Sequence, residues 1–133
     1  MPSTSKPQLC PKNWIRWGNK CYSRDSLWGT FEERLHHCRV LGATILTIES
    51  SEENQFIYDT FFGTELWLGA KRLQDHSFIW IETGEYLKYT QWHQGEPNNN
   101  NGNENCVEFY QGSWNDKNCD SMNRGVCQKL ILL

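Results

Sequence analysis

The sequence holds no run of about 18 apolar residues, the length a membrane-crossing helix needs. It shows no Lys/Arg cluster, and its formal net charge is −3, so the basic face of a nucleic-acid binder is missing. No Cys-x-x-Cys pair occurs, and the four His do not fall at zinc-finger spacing, which argues against structural zinc. No Ser, His and Asp order and no nucleophile-elbow motif appears, so no enzyme class finds support. There is no Asn-x-Ser/Thr acceptor, so N-glycosylation of this segment is not expected. Internal repeats are absent too. Met1 to Pro7 is polar and lacks the apolar centre of a signal peptide. Residues 1–9 read as a disordered N-terminal stub.

What is present is enough for one domain, expected over residues 10–133. Apolar residues make up 38% and aromatics 14%, with seven Trp that fall mostly in strand patterns and read as core. The six cysteines, Cys10, Cys21, Cys38, Cys106, Cys119 and Cys127, are even in number and scattered. In so short a chain they read as a disulfide framework from an oxidising compartment, hence an extracellular protein, secreted or an ectodomain. Spacing alone leaves the pairing open.

The elements run helices first and strands afterwards. Cys10 to Ser23 alternates apolar and polar residues around a Gly18-Asn19 turn, which predicts a hairpin. Thr30 to Glu33 is a capping box, and Phe31, Leu35, Cys38 and Leu41 follow at helical spacing until Gly42. Ile45 to Ile48 is a short strand-like run. Ser50 to Glu53 is a second capping box, with Phe56, Ile57 and Phe61 as the stripe of a second helix. Leu66 to Ala70, Phe78 to Ile81, Cys106 to Tyr110, Ser113-Trp114 and Val126 to Gln128 read as strands. Leu130 to Leu133 would extend the last of these. Without βαβ alternation, the fold class is α+β.

One stretch carries chemistry. Between Gln91 and Asn105 lies a long loop rich in Asn and Gly. Taken alone, Asn98 to Asn103 is an ordinary set of turn formers. Yet Glu96-Pro97-Asn98, Glu104 and then Trp114-Asn115-Asp116 supply three carboxylates and two amide carbonyls within a short span. Hard oxygen donors in that mixture suit Ca²⁺ better than zinc or a soft metal. Paired acids such as Glu96 and Glu104 also occur in glycosidases. Their interleaving with Asn favours the ion. His36, His37 and His76 read as solvated or packed, while His93 stands near enough to the motif to reach a ligand.

From Cys10 to Gln128 the chain resembles a C-type lectin-like domain. Cys38, Cys106, Cys119 and Cys127 follow the order and rough spacing of that family's two invariant bridges. Trp67-Leu68-Gly69-Ala70 stands where the family has its Trp-Ile-Gly-Leu core motif. Glu96-Pro97-Asn98 matches the mannose-type sugar motif, and Trp114-Asn115-Asp116 the family's Trp-Asn-Asp motif. Cys10 and Cys21 match the extra pair of the long form.

The resemblance implies two helices packed on antiparallel sheets, a long calcium-binding loop and three disulfides, Cys10–Cys21, Cys38–Cys127 and Cys106–Cys119. It implies a cis bond between Glu96 and Pro97. Glu96, Asn98, Glu104, Asn115 and Asp116 are the expected ligands of one principal Ca²⁺, and the same five would hold the sugar. The Glu-then-Asn order resembles binders of equatorial 3- and 4-hydroxyls, as in mannose, glucose and N-acetylglucosamine, with fucose presenting an equivalent pair. Galactose-type members carry Gln-Pro-Asp instead. An auxiliary Ca²⁺ site of many relatives would fall near Arg72 and His76, with Asn99 and Asn105. Two basic residues and two amides are poor ligands, so that site is expected to be absent or weak. Asp75 is the only acid nearby, and the loop at Asn99 to Asn103 is then expected to depend on the main ion alone.

The competing function is a protein-binding module on the same fold. Such relatives have lost part of the sugar site, whereas all five residues stand here. Single sugar sites are shallow and weak, so avidity would come from clustered copies, encoded in a stalk beyond this segment.

Overall fold

The computed structural model describes residues 9–63 and 65–131. Residues 1–8 of the expected stub lie outside them, as do Leu132 and Leu133.

Strands β1 (Ile15–Trp17) and β2 (Lys20–Arg24) form the expected hairpin, with Trp17 opposite Lys20 across the turn. Helix α1 (Phe31–Val40) starts on a complete capping box. Thr30 Oγ1 accepts from the Glu33 N–H at 3.2 Å, and Glu33 Oε1 accepts from the Thr30 N–H at 2.9 Å. Phe31, Leu35 and Cys38 face the core. Leu41, expected on the same stripe, is 43% exposed, because the helix ends before it and Leu41 serves as the C-cap. Of the Ile45 to Ile48 run, only Ile45 lies in a strand, β3 (Thr44–Ile45); Leu46 bonds Val126 and Gly69 through its backbone, and Leu46 and Ile48 are buried.

Helix α2 (Ser51–Thr60) departs from its signature. Ser50 Oγ accepts from the Glu53 N–H at 3.0 Å, but the Glu53 carboxylate does not reach back to the cap. It turns into the core, because stronger partners stand there. Glu53 Oε2 accepts from Lys20 Nζ at 2.8 Å and from the Tyr22 hydroxyl at 2.6 Å. Its Oε1 accepts from the Glu49 N–H at 2.9 Å.

The remaining strands are β4 (Leu66–Arg72), β5 (Phe78–Trp80), β6 (Cys106–Tyr110), β7 (Ser113–Lys117) and β8 (Arg124–Leu130). The sheet order is β1-β2-β8-β4-β6-β7, with β3 also on β8 and β5 on β4. The sheet is mixed, not purely antiparallel as expected, since β4 and β8 run parallel at Leu66–Arg124 and Trp67–Gly125. The reason lies in the return segment, residues 118–123. It carries the chain back past β4 and β6, which allows a parallel neighbour. The Cys106–Cys119 disulfide ties that segment down, and so do the reciprocal backbone bonds of Gly29 and Asn123, each 2.9 Å. Cys10–Cys21 and Cys38–Cys127 complete the three expected pairings. The second joins α1 to β8 across 89 residues of sequence, the bridge of greatest entropic effect.

Trp67 and Trp114 are fully buried and Trp80 nearly so, but Trp28 is 48% exposed. Gly69 explains the small residue after Trp67-Leu68. A Cβ there would lie 2.6 Å from the Ile45 side chain, so only glycine lets β4 approach β3.

Two outcomes follow from the buried pair. Glu53→Gln leaves the Lys20 ammonium only the exposed Glu49, 3.9 Å away, as counter-charge and should lose about 3–5 kcal/mol of unfolding free energy, read by urea denaturation; a loss below about 1 kcal/mol would contradict the pairing. Burial foremost, then Glu53, pushes the Tyr22 hydroxyl above the usual phenol range. A group held protonated by folding contributes fully below its unfolded value and loses that contribution as pH rises beyond it. Stability should therefore fall above about pH 10, and less steeply in Tyr22→Phe, checked by denaturation across the alkaline range.

Candidate functional site

The site is built on the β6–β7 hairpin. Gln111 and Gly112 turn it with φ of 51° and 89°, the mirror-image turn that matches strand twist. Asn54 of α2 supports it twice. Asn54 Nδ2 donates to the Gly112 carbonyl at 2.8 Å, and Asn54 Oδ1 accepts from Trp114 Nε1 at 2.9 Å. Trp80, Tyr89 and Trp92 meet the Trp114 ring edge to face, with centroids 5.8 to 6.0 Å away. Strand alternation then buries Trp114 and Asp116 while Asn115 stays half-exposed.

The outer edge of β7 receives the long loop. The Trp114 N–H donates to the Gln91 carbonyl at 2.8 Å, and the Trp114 carbonyl accepts from the His93 N–H at 2.8 Å. Asp116, two residues on, directs its backbone carbonyl to that same edge. The Glu96–Pro97 bond is cis, as expected.

Loop N–H groups converge on side-chain oxygens. Asp116, 0% exposed, accepts from the Asn98 N–H on Oδ1 at 3.1 Å and from the Asn99 N–H on Oδ2 at 2.7 Å. Glu96 Oε1 accepts from the Asn98 N–H at 3.2 Å. The Asn100 N–H donates to Asn98 Oδ1 at 3.2 Å and to Glu104 Oε1 at 3.0 Å. The Glu104 N–H donates to Asn99 Oδ1 at 3.1 Å. Four of the five expected residues thus belong to one hydrogen-bonded rim.

Asn115, the fifth, lines a cavity of about 360 Å³ together with Glu96, His93, Tyr110 and Ser113. Its Nδ2 donates to Glu108 Oε2 at 3.1 Å, which fixes the amide and turns Oδ1 the other way. Glu108 is buried and also accepts from Lys117 Nζ at 3.1 Å and from Asn123 Nδ2 at 3.2 Å. His93 Nδ1 lies 3.2 Å from Ser113 Oγ at the cavity wall.

The electrostatics favour a cation. Burial, then the neighbouring Asp116 carboxylate, raises the Glu96 carboxyl above its ordinary range, and Glu104 adds to this. Among the described residues, no three His, Cys, Asp or Glu side chains gather into a metal site by themselves. The amide oxygens of Asn98 and Asn115 are needed for a full set, and such an all-oxygen set fits Ca²⁺. Asp75, the acid that the sequence puts nearest the expected auxiliary position, is engaged in its own turn, accepting from the Ser77 N–H at 3.1 Å and hydroxyl at 2.5 Å.

Two residues escaped the sequence reading. Glu108 was legible as a strand residue only, although a carboxylate inside Cys106-Val107-Glu108-Phe109 is an anomaly that signals a buried partner. Arg72 stood out only as a poor metal ligand. In the structure its Nη2 donates to Asp116 Oδ2 at 2.5 Å.

Comparison with known proteins gives the family. Mouse (Mus musculus) asialoglycoprotein receptor 2 is 34% identical over 131 residues, covering 92% of this chain and 42% of that protein. The chain therefore spans less than half the length of that curated relative. The carbohydrate-recognition domain of the mouse scavenger receptor C-type lectin superposes with a TM-score of 0.86 at 30% identity, covering 92% of this chain and 99% of that one. The corresponding domain of cow CD23, determined in the presence of a GlcNAc2Man3 oligosaccharide, gives a TM-score of 0.86 at 31% identity over 93% of this chain and 98% of that one. Residues 29–129 match the family model of the lectin C-type domain, and the chain belongs to the C-type lectin family.

Proposed function

We propose that this chain binds mannose-type sugars through one Ca²⁺ held by Glu96, Asn98, Glu104, Asn115 and Asp116. The observation that supports this most is the single rim joining Glu96, Asn98, Glu104 and Asp116, with Asn115 in the same cavity as Glu96. Ca²⁺, when bound, supplies a Lewis-acidic centre that takes two neighbouring sugar hydroxyls. The side chains do the selecting. Glu96 and Glu104 accept hydrogen bonds from those hydroxyls, and Asn98 and Asn115 donate N–H hydrogen bonds to them. Glu108 holds one N–H of Asn115, leaving the second for sugar. The cow CD23 domain solved with a mannose-containing oligosaccharide is a relative that supports a glycan ligand.

Glu96 before Pro97 and Asn98 after it set the choice of equatorial 3- and 4-hydroxyls over the galactose arrangement. Asn98 is exposed and Glu96 and Glu104 are half-buried, which suits a shallow site of modest affinity. The three disulfides fit an extracellular setting, secreted or as an ectodomain, where clustered copies would supply avidity.

Mannose-agarose should retain the protein in Ca²⁺ and release it in EDTA, with no retention on galactose-agarose. The double variant Glu96→Gln, Asn98→Asp should reverse the preference, losing about tenfold or more on mannose, as one mispaired hydrogen bond dictates. Retention on neither sugar, with Ca²⁺ binding intact, would contradict the proposal and favour a protein ligand.

A further inference from the structure

Arg72 ends β4, and its side chain is only 8% exposed. So deep a guanidinium must be paired. It is paired to Asp116 of β7 and to the closing end of the long loop. Nη2 donates to Asp116 Oδ2 at 2.5 Å and to the Glu104 carbonyl at 3.3 Å, and Nε approaches the same carbonyl at 3.4 Å. The Arg72 backbone N–H donates to the Asn105 carbonyl at 2.9 Å. Phe78 of β5 covers the guanidinium, its ring centroid 4.5 Å away. Asp116 in turn holds the Asn98 and Asn99 N–H groups, so residues that open the loop and residues that close it meet on one ion pair.

We propose that Arg72 is a fixed internal cation that orders the loop from Asn98 to Asn105 before any metal binds. Its charge is permanent, since guanidinium does not lose its proton in proteins. Its planar fork meets a carboxylate and a carbonyl together, which a point charge does not. The loop therefore does not depend on the main ion alone. A second consequence concerns charge. Glu96, Glu104 and Asp116 bring three negative charges, and Arg72 offsets one at Asp116 Oδ2, leaving two for the ion to cancel. Arg72 is a positioning residue, acting on sugar only through Asp116 and the Glu104 backbone. The bracing stands on the geometry above, while its consequence for sugar rests on the calcium reading.

Amide hydrogen exchange of the whole chain in EDTA tests this. In the wild type the Asn98 and Asn99 amides should stay protected without metal. Arg72→Gln should speed their exchange about tenfold or more, the scale of one lost charge-assisted bond. Amides of the β2–β8 pairing should not change, and saturating Ca²⁺ should restore part of the protection. Arg72→Lys keeps the charge without the fork and should fall between the two; it carries the test should Arg72→Gln not fold. Unchanged loop exchange in Arg72→Gln would overturn the proposal, as would equal acceleration throughout the sheet, which assigns Arg72 to general stability. Failure of the wild type to bind sugar, with the loop effect present, would sink the calcium–sugar reading and leave the brace standing.

Discussion

The carboxylate of Asp116 is the point on which the shape of the long loop depends. It is fully buried, and an unpaired charge in that position would cost several kcal/mol. Its partners are two loop N–H groups on one side and a guanidinium on the other. Each partner is therefore drawn to it by the same desolvation. The loop contains many Asn and Gly residues and little that could build a core of its own. Its shape comes from polar groups that have to be satisfied at one strand.

The rest of the fold fixes where that strand lies. Trp114 is locked by Asn54 and by three aromatic neighbours, so β7 cannot rotate without breaking the core. Cys106–Cys119 anchors the start of β6 to the segment leaving β7. Cys38–Cys127 holds α1 against β8. Behind Asn115, Glu108 gathers Lys117, Asn123 and the Asn115 amide into a buried polar cluster. The face proposed to meet a ligand is thus a thin polar rim over a rigid hydrophobic and disulfide-bonded base, the arrangement that preorganised recognition requires.

Much of this was legible in the residues, for identifiable reasons. Thr30 and Glu33 announce α1 because a capping box satisfies orphan N–H groups locally. The alternating burial of Ser113 to Lys117 follows from strand geometry. The three disulfide pairings and the cis bond at Pro97 came from resemblance, and the structure agrees with both. What stayed hidden was long-range. Glu53 carries the signature of a second capping box, but Lys20 and Tyr22, about thirty residues away in sequence, outcompete the cap. The parallel contact of β4 with β8 depends on where residues 118–123 return, which no local pattern encodes. Arg72 reads only as a poor ligand at the auxiliary position until Asp116, 44 residues on, is placed beside it.

In the proposed site one ion and one sugar share a single set of five side chains. Equilibrium dialysis of the chain with radioactive calcium, with and without mannose, addresses it directly. Binding free energies are reciprocal, so a sugar that requires the ion must also tighten it. One Ca²⁺ per chain is expected at saturation, held more tightly when mannose is present and unchanged by galactose. Two ions per chain, or one ion whose affinity mannose does not alter, would contradict it.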